Sequence, residues 1–273
     1  MKRILFASAL ALAVSPALAD DDYGQMNKLA GHVDGYIGGL WLSIDGDTSD
    51  ATAYGGAGRL NIPFEQMWNV QFDGNVSAYS GDGSTIAISG GTVHAYWRDS
   101  SSYAFGGFAA LEHYDLDSIS FYGWHVGVEG QHYMGNTTLY GQAWGGELVD
   151  SGSSITELGL RGVVRYYGHE NFRIDGEFSY VNLSGAGGGA DSFALGTMAM
   201  YQFAGTGISV YGRYDYKYVD TDGSSSADIH LLTVGLRGTF ASGGMGHEPM
   251  TLIEDDRSGA TMESPHIPVN ALF

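Results

Sequence analysis

The stretch His230–Phe240, HLLTVGLRGTF, alternates without a break. Successive side chains of a strand point to opposite faces. Leu232, Val234, Leu236, Gly238 and Phe240 therefore share one face, and Leu231, Thr233, Gly235 and Arg237 share the other. One face is wholly apolar and closes on an aromatic ring, while the other carries a cation. A wall with lipid outside and water inside accommodates both faces.

The pattern recurs upstream. In 171–184, Phe172, Ile174, Gly176, Phe178 and Tyr180 oppose Arg173, Asp175, Glu177 and Ser179. In 207–220, Ile208, Val210, Gly212, Tyr214 and Tyr216 oppose Ser209, Tyr211, Arg213, Asp215 and Lys217. In 154–168, Leu158, Leu160, Gly162, Val164 and Tyr166 oppose Glu157, Arg161 and Arg165. The alternation in 32–45 and 84–99 is too irregular to assign a face.

Segments of about a dozen residues, separated by short breaks, predict strands over 32–45, 52–63, 68–80, 84–99, 101–115, 118–134, 137–150, 154–168, 171–184, 191–204, 207–220 and 228–240. The fold class is all-β, an antiparallel up-and-down transmembrane β-barrel of twelve strands, with ten or fourteen as alternatives. An even count returns both chain ends to one side. None of Pro16, Pro63, Pro249, Pro265 and Pro268 interrupts a predicted strand, where proline would delete a ladder hydrogen bond. Forty-three glycines and eighteen tyrosines also suit strands and membrane interfaces better than helices.

The breaks fall into two alternating sets. Acidic ones (45–50, 80–84, 115–118, 150–154, 184–191, 220–228) are expected outside the cell, and tighter ones (63–67, 98–101, 135–136, 169–171, 204–207) in the periplasm. Aromatics suggest two interfacial belts. Phe64, Trp68, Trp97, Tyr103, Tyr133, Tyr166, Phe172, Phe203 and Phe240 lie near the tight set; Tyr54, Tyr79, Tyr114, Phe121, Tyr122, Tyr180 and Tyr218 lie near the acidic set.

Residues 1–19, with Lys2, Arg3, an apolar run and Ala17-Leu18-Ala19, read as a cleaved Sec-type signal peptide; 20–31 is a periplasmic lead-in. Without Lys2 and Arg3, 10 basic residues face 31 acidic ones, a formal charge of −21 that argues against nucleic acid as a partner. There is no cysteine, which excludes disulfides and thiolate chemistry. The tail, 241–273, has three prolines and no sustained alternation; it reads as flexible and periplasmic, with a lumen plug, a partner-binding segment or a different last strand as alternatives.

The inward face carries the candidate chemistry. With the 169–171 turn in place, Arg165 falls opposite Asp175 and Tyr167 opposite Arg173. Glu129, Arg161, Glu177, Arg213, Asp215, Lys217 and Arg237 line the same lumen. These charges could set a transverse field in a pore or form ion-pair networks that fill it. Twelve strands at about 4.8 Å spacing and 40° tilt give a backbone diameter of roughly 24 Å, room for either. Asp45, Asp47, Asp50, Asp220 and Asp222, with Asp228, are weak candidates for calcium or magnesium, but they read better as solvated turn residues. His125 and Glu129 share a face, yet no local signature supplies a nucleophile, so no enzyme activity and no cofactor are expected.

The alternating last strand, Leu232 to Phe240, resembles the C-terminal signature of Gram-negative outer-membrane β-barrels. Over 32–240 the chain resembles the porin-like family, and the tail departs from its pattern. The resemblance implies an outer-membrane location, contact with lipid and lipopolysaccharide, and insertion by the barrel-assembly machinery, with Leu232, Val234, Leu236, Gly238 and Phe240 as the assembly signal. The leading functional expectation is a narrow passive channel for small hydrophilic solutes or ions. A closed structural or surface-interaction barrel is the alternative, and a barrel enzyme the third.

Overall fold

The computed structural model describes residues 29–265 except 66, 82, 117–118, 151, 186–187, 222–224 and 242–248. The expected signal peptide, the lead-in to residue 28, Asp222 and tail residues 242–248 and 266–273 lie outside the described residues.

Twelve strands close into one barrel: β1 (Ala30–Ile44), β2 (Asp47–Pro63), β3 (Trp68–Gly81), β4 (Ser84–Asp99), β5 (Tyr103–Leu116), β6 (Ile119–Met134), β7 (Thr137–Asp150), β8 (Ser153–His169), β9 (Phe172–Gly185), β10 (Gly188–Gln202), β11 (Ile208–Thr221) and β12 (Ser225–Ala241). Each pairs antiparallel with its sequence neighbours, and β12 closes on β1, Arg237 facing Asp34 across the seam. The twelve expected strands are all present, two of them (84–99 and 137–150) with identical bounds.

The expected loop asymmetry is absent. β1 and β2 are joined by Asp45 and Gly46 alone, both at positive φ (50° and 96°), the two-residue turn whose twist matches the hairpin. Asp47 and Asp50 therefore lie on β2, and Asp115, Asp150 and Asp220 lie on strand ends. Strands of 14 to 17 residues span roughly 35 to 43 Å along the axis at about 40° tilt, beyond an apolar band of about 25 Å. The acidic residues thus occupy ladder extensions beyond the lipid, where sequence alone suggests loops.

Outward positions form that apolar band; Val33, Ile37, Val128, Leu158, Leu195 and Leu236 are all exposed. β1 and β4, unassigned by pattern, alternate as the others do: His32 on β1, and Thr92, His94, Tyr96 and Arg98 on β4, point inward.

The lumen has two halves. Toward the rim of the acidic residues (the loop rim), Leu40, Ala53, Tyr79, Ile88, Tyr114, Leu148, Val219, Ile229 and Leu231 form one buried apolar cluster. These side chains come from strands all around the wall and meet across the lumen. Toward the opposite rim, which carries Ala30 and Ala241, the wall is polar and the tail fills the space.

Here the structure departs from a free tail. Pro249 lies against Gly207, whose φ of 65° and close approach to the Thr239 carbonyl leave no room for a side chain. The Met250 carbonyl accepts from Gln202 Nε2 at 2.7 Å. Thr251 then caps α1 (Leu252–Ser258) in a reciprocal capping box with Glu254. The helix crosses the rim: the Ile253 N–H meets the Glu170 carbonyl at 3.3 Å, and Arg257 donates to the Gly135 carbonyl. Residues 259–264 turn into the barrel. Leu252 packs with Tyr167, Met198 and Met200, and Met262 with Tyr96, Ala104, Tyr140 and Val163. A segment whose acids and backbone meet buried arginines, and whose Leu252 and Met262 find apolar seats, has more to gain inside than in water.

Candidate functional site in the lumen

The strand arginines Arg59, Arg98, Arg161, Arg165, Arg173, Arg213 and Arg237, together with Lys217, point into the lumen. The opposite face meets lipid, where a guanidinium is costly. Inside, most are neutralised by wall carboxylates. Arg161 grips Glu177 through two bonds, of 2.8 and 3.0 Å. Arg213 bridges Glu177 at 3.1 Å and Asp215 at 2.6 Å. Arg173 pairs with Asp175 at 3.0 Å and Arg237 with Asp34 at 3.0 Å. Glu129 lies 2.8 Å from His94 Nδ1 and accepts from the Tyr140 hydroxyl at 2.9 Å. Lys217 is buried nearer the loop rim.

The expected register holds, with Arg165 opposite Asp175 and Tyr167 opposite Arg173. Facing is not pairing, for Asp175 is held by Arg173 of its own strand. Arg165 turns to two carboxylates of the tail, Asp256 and, at 2.6 Å, Glu263. Glu263 is the centre of the filled lumen. Its Oε1 meets Arg165, its Oε2 meets Arg59 Nη2 at 2.7 Å, and Arg161 Nη2 lies 3.8 Å from the same Oε2. Its carbonyl accepts from Gln142 Nε2 at 2.9 Å, and its N–H points at the Tyr140 hydroxyl at 3.3 Å.

Around it, the tail backbone is read like a substrate. The Gly259 carbonyl takes Arg98 at 2.8 Å, and Met262 exchanges bonds with Gln71, its N–H donating to Oε1 and its carbonyl accepting from Nε2. The Ser264 carbonyl takes Arg161 at 3.0 Å. Thr261 receives Gln131, and Asp256 receives the Thr138 hydroxyl at 2.6 Å.

Arg59, Gln71, Asp73, His94, Arg98, Gln131, Tyr140 and Gln142 escaped the sequence reading. Most sit on β2 to β5, where the alternation is less regular, and their common role appears only once the tail is placed. The signal that could have found the plug was present: Thr251-Leu-Ile-Glu254 is a capping box in a supposedly unstructured tail.

In the tail, burial raises Asp255 to about 6, and Arg237 and Arg173 offset only part of it. Burial also opposes ionisation of Asp256 and Glu263, but Arg165, Arg173 and the hydroxyls of Thr138 and Thr261 together outweigh it at Asp256, and Arg59, Arg165 and Arg161 together outweigh it at Glu263, holding both below the ordinary carboxylate value.

The other candidates separate. His125 Nε2 lies 3.2 Å from Glu112 and its Nδ1 lies 3.6 Å from Glu157, whose Oε1 accepts from Trp144 Nε1 at 2.6 Å. That is a wall histidine held by two carboxylates. Asp45 accepts from the Ser226 N–H, and Asp47, Asp50 and Asp220 stand on strand ends. Among the described residues no group of three or more acids or histidines is placed to hold a metal. Leu232, Val234, Leu236, Gly238 and Phe240 all face outward. The belt expectation needs correction at four rings: Tyr79, Tyr114 and Tyr133 are buried in the lumen, and Phe121 stacks on Tyr114 at 4.5 Å. Their positions on the inward phase of their strands override the preference for the interface.

No family model and no curated protein matches the chain. Solved structures do. An outer membrane channel from Pseudomonas putida F1 is 9% identical with a TM-score of 0.58, covering 81% of this chain and 98% of that one. The beta domain of the Bordetella autotransporter BrkA is 16% identical, TM-score 0.48, over 78% of this chain and 100% of that one. A loop-deletion form of OmpT, an outer membrane protein of Vibrio cholerae, is 10% identical, TM-score 0.44, over 78% and 100%. The likeness is one of fold, and the fold is that of outer-membrane β-barrels.

Proposed function

We propose that the protein is an outer-membrane channel for small hydrophilic solutes or ions, closed at rest by its own tail. In this reading the rim with the chain ends faces the periplasm, lipid and lipopolysaccharide surround the apolar band, and the barrel-assembly machinery inserts the chain from β12. The observation that carries the reading is how the charges are shared. Glu177 and Asp215 neutralise Arg161 and Arg213, Asp73 lies 3.1 Å from Arg59, and Arg173 and Arg237 have wall partners, so the wall keeps most of its ion pairs when the tail leaves. Release would expose a charged passage bounded by Arg161, Arg165, Arg173, Asp175, Glu177, Arg213, Asp215, Arg237 and Glu129, with Lys217 beyond. The apolar cluster of the other half would then act in series, as a constriction that conducts only when wetted.

That same cluster favours a second reading, a permanently closed barrel that works through its surface. Planar-bilayer recordings of the refolded protein, with and without residues 249–273, separate the two. Steps only after tail removal support a plugged channel. Silence in both forms, with heat-modifiable mobility verifying the fold, rejects the channel and leaves the closed barrel.

A further inference from the structure

Glu263 occupies a place built for a carboxylate rather than for a glutamate. Its two oxygens go to two different guanidiniums, Arg165 at 2.6 Å and Arg59 at 2.7 Å, and its carbonyl goes to the Gln142 amide at 2.9 Å. Such charge-assisted bonds, in a place shielded from water, are the strong ones. Arg59 keeps a wall partner in Asp73, but both carboxylates that pair with Arg165 belong to the tail. When the tail leaves, Arg165 loses both of these carboxylate partners. Beside it, Gln142 Oε1 is buried without a hydrogen-bond partner, and its amide nitrogen is already committed to Glu263. The pocket thus offers two guanidiniums for a carboxylate, an amide donor for a neighbouring carbonyl or hydroxyl, and an unused acceptor for an N–H or O–H.

We propose that Arg165, Arg59 and Gln142 form a binding site for a small solute carrying a carboxylate and an adjacent hydrogen-bonding group, and that Glu263 is its tethered occupant. The proposal rests on the reading that the tail can leave the lumen. Solute and tail then compete, so a carboxylate would both occupy the passage and favour its opening.

The test uses the full chain refolded in micelles, with trypsin cleavage after Arg257 as the readout of tail release. Arg257 lies on the docked helix and is held to the Gly135 carbonyl. Acetate is compared with chloride and with neutral acetamide at constant ionic strength. In the intact protein, acetate should accelerate cleavage saturably while chloride and acetamide do not, and Arg165→Met should abolish the acetate effect. In Glu263→Ala, cleavage should be about tenfold faster than in the parent, the factor carried by about 1.4 kcal/mol. There acetate should fill the vacant cradle. At about ten times its dissociation constant it raises the midpoint of thermal unfolding, reflecting an elevenfold preference for the occupied form. The intact-protein experiment stands even if Glu263→Ala fails to fold. Equal responses to acetate and chloride, or an acetate effect that survives Arg165→Met, would overturn the site. Bilayer recordings on the same full-length Glu263→Ala protein keep the two ideas apart: steps without an acetate response sink the site alone, and an acetate response without steps sinks the channel alone.

Discussion

Replacing Arg165 by alanine is the sharpest probe of the plug. Arg165 is 1% exposed and holds Asp256, Glu263 and the Thr261 hydroxyl. Removing one partner of a buried pair costs about 3 to 5 kcal/mol, because the remaining charge stays buried. Here the loss belongs at the low end. Glu263 keeps Arg59 at 2.7 Å, and Asp256 keeps the hydroxyls of Thr138 at 2.6 Å and Thr261 at 2.8 Å. At about 3 kcal/mol, and 1.4 kcal/mol per tenfold, tail docking weakens by roughly a hundredfold. The strand ladder is untouched, so the barrel persists. Hydrogen exchange of the Met262 amide, which donates to Gln71 Oε1 at 3.1 Å, reads the docking equilibrium directly. Arg213→Ala is the matched control, since Arg213 pairs with Glu177 and Asp215 of the wall. Met262 should exchange about a hundredfold faster in Arg165→Ala and nearly unchanged in Arg213→Ala. A change below about threefold in the first, or equal changes in both, would refute the assignment of Arg165 to the tail.

Three further outcomes follow from the same contacts. The Asp255 value in the docked tail, about 6, is raised above the free one of 3.8, so its support for docking is complete below 3.8 and is lost as pH rises to about 6; trypsin cleavage after Arg257 should quicken over that range, and Asp255→Asn should flatten the response. Leu231→Ala removes a fully buried side chain of the apolar cluster and should lower barrel stability by about 2 to 5 kcal/mol, seen as an earlier midpoint in urea. Phe240→Ser should slow assembly into bilayers while leaving the folded barrel's ladder intact, since its ring faces outward and lies over Gly31 at the closing seam; unchanged insertion kinetics would remove it from the assembly signal.

The wall was legible because a strand in lipid leaves a period-two record. Across the apolar band of β8, β9, β11 and β12 the outward residues are nearly all apolar and the charged ones point inward, so both register and facing could be read. Arg165 opposite Asp175 is the clearest case. β1 and β4 hid their facing because glycine and small residues serve either side. The loops were misread because Asp and Ser are written as turn residues, although beyond the lipid a strand can carry them at little cost. The partner of Arg165 was illegible for a different reason. Strand periodicity carries no information about a segment that crosses the lumen, and Glu263 lies 98 residues from Arg165 in the chain. Only an inventory of inward arginines against the acids of the tail would have joined them.

The two halves of the lumen also decide what can open it. The half near the chain ends is held partly by Leu252 and Met262, buried among wall side chains, and partly by ion pairs at Arg59 and Arg165. Apolar burial is not weakened by ordinary salt, and buried pairs are screened far less than exposed ones. Ionic strength alone is therefore a poor key. Protons and competing anions act on the pairs themselves. Protons neutralise Asp255 at an early stage and reach Asp256 and Glu263 only in stronger acid, because arginine contacts hold both low. The first proton, on Asp255, relieves a buried charge and tightens the plug. Later protons on Glu263 and Asp256 would remove the anions that Arg59 and Arg165 need and loosen it. Docking is thus tightest in mildly acidic solution, and a carboxylate near neutral pH meets the tail when its grip is already reduced. That ordering makes a competing anion, rather than salt or acid, the stimulus that this lumen is best built to answer.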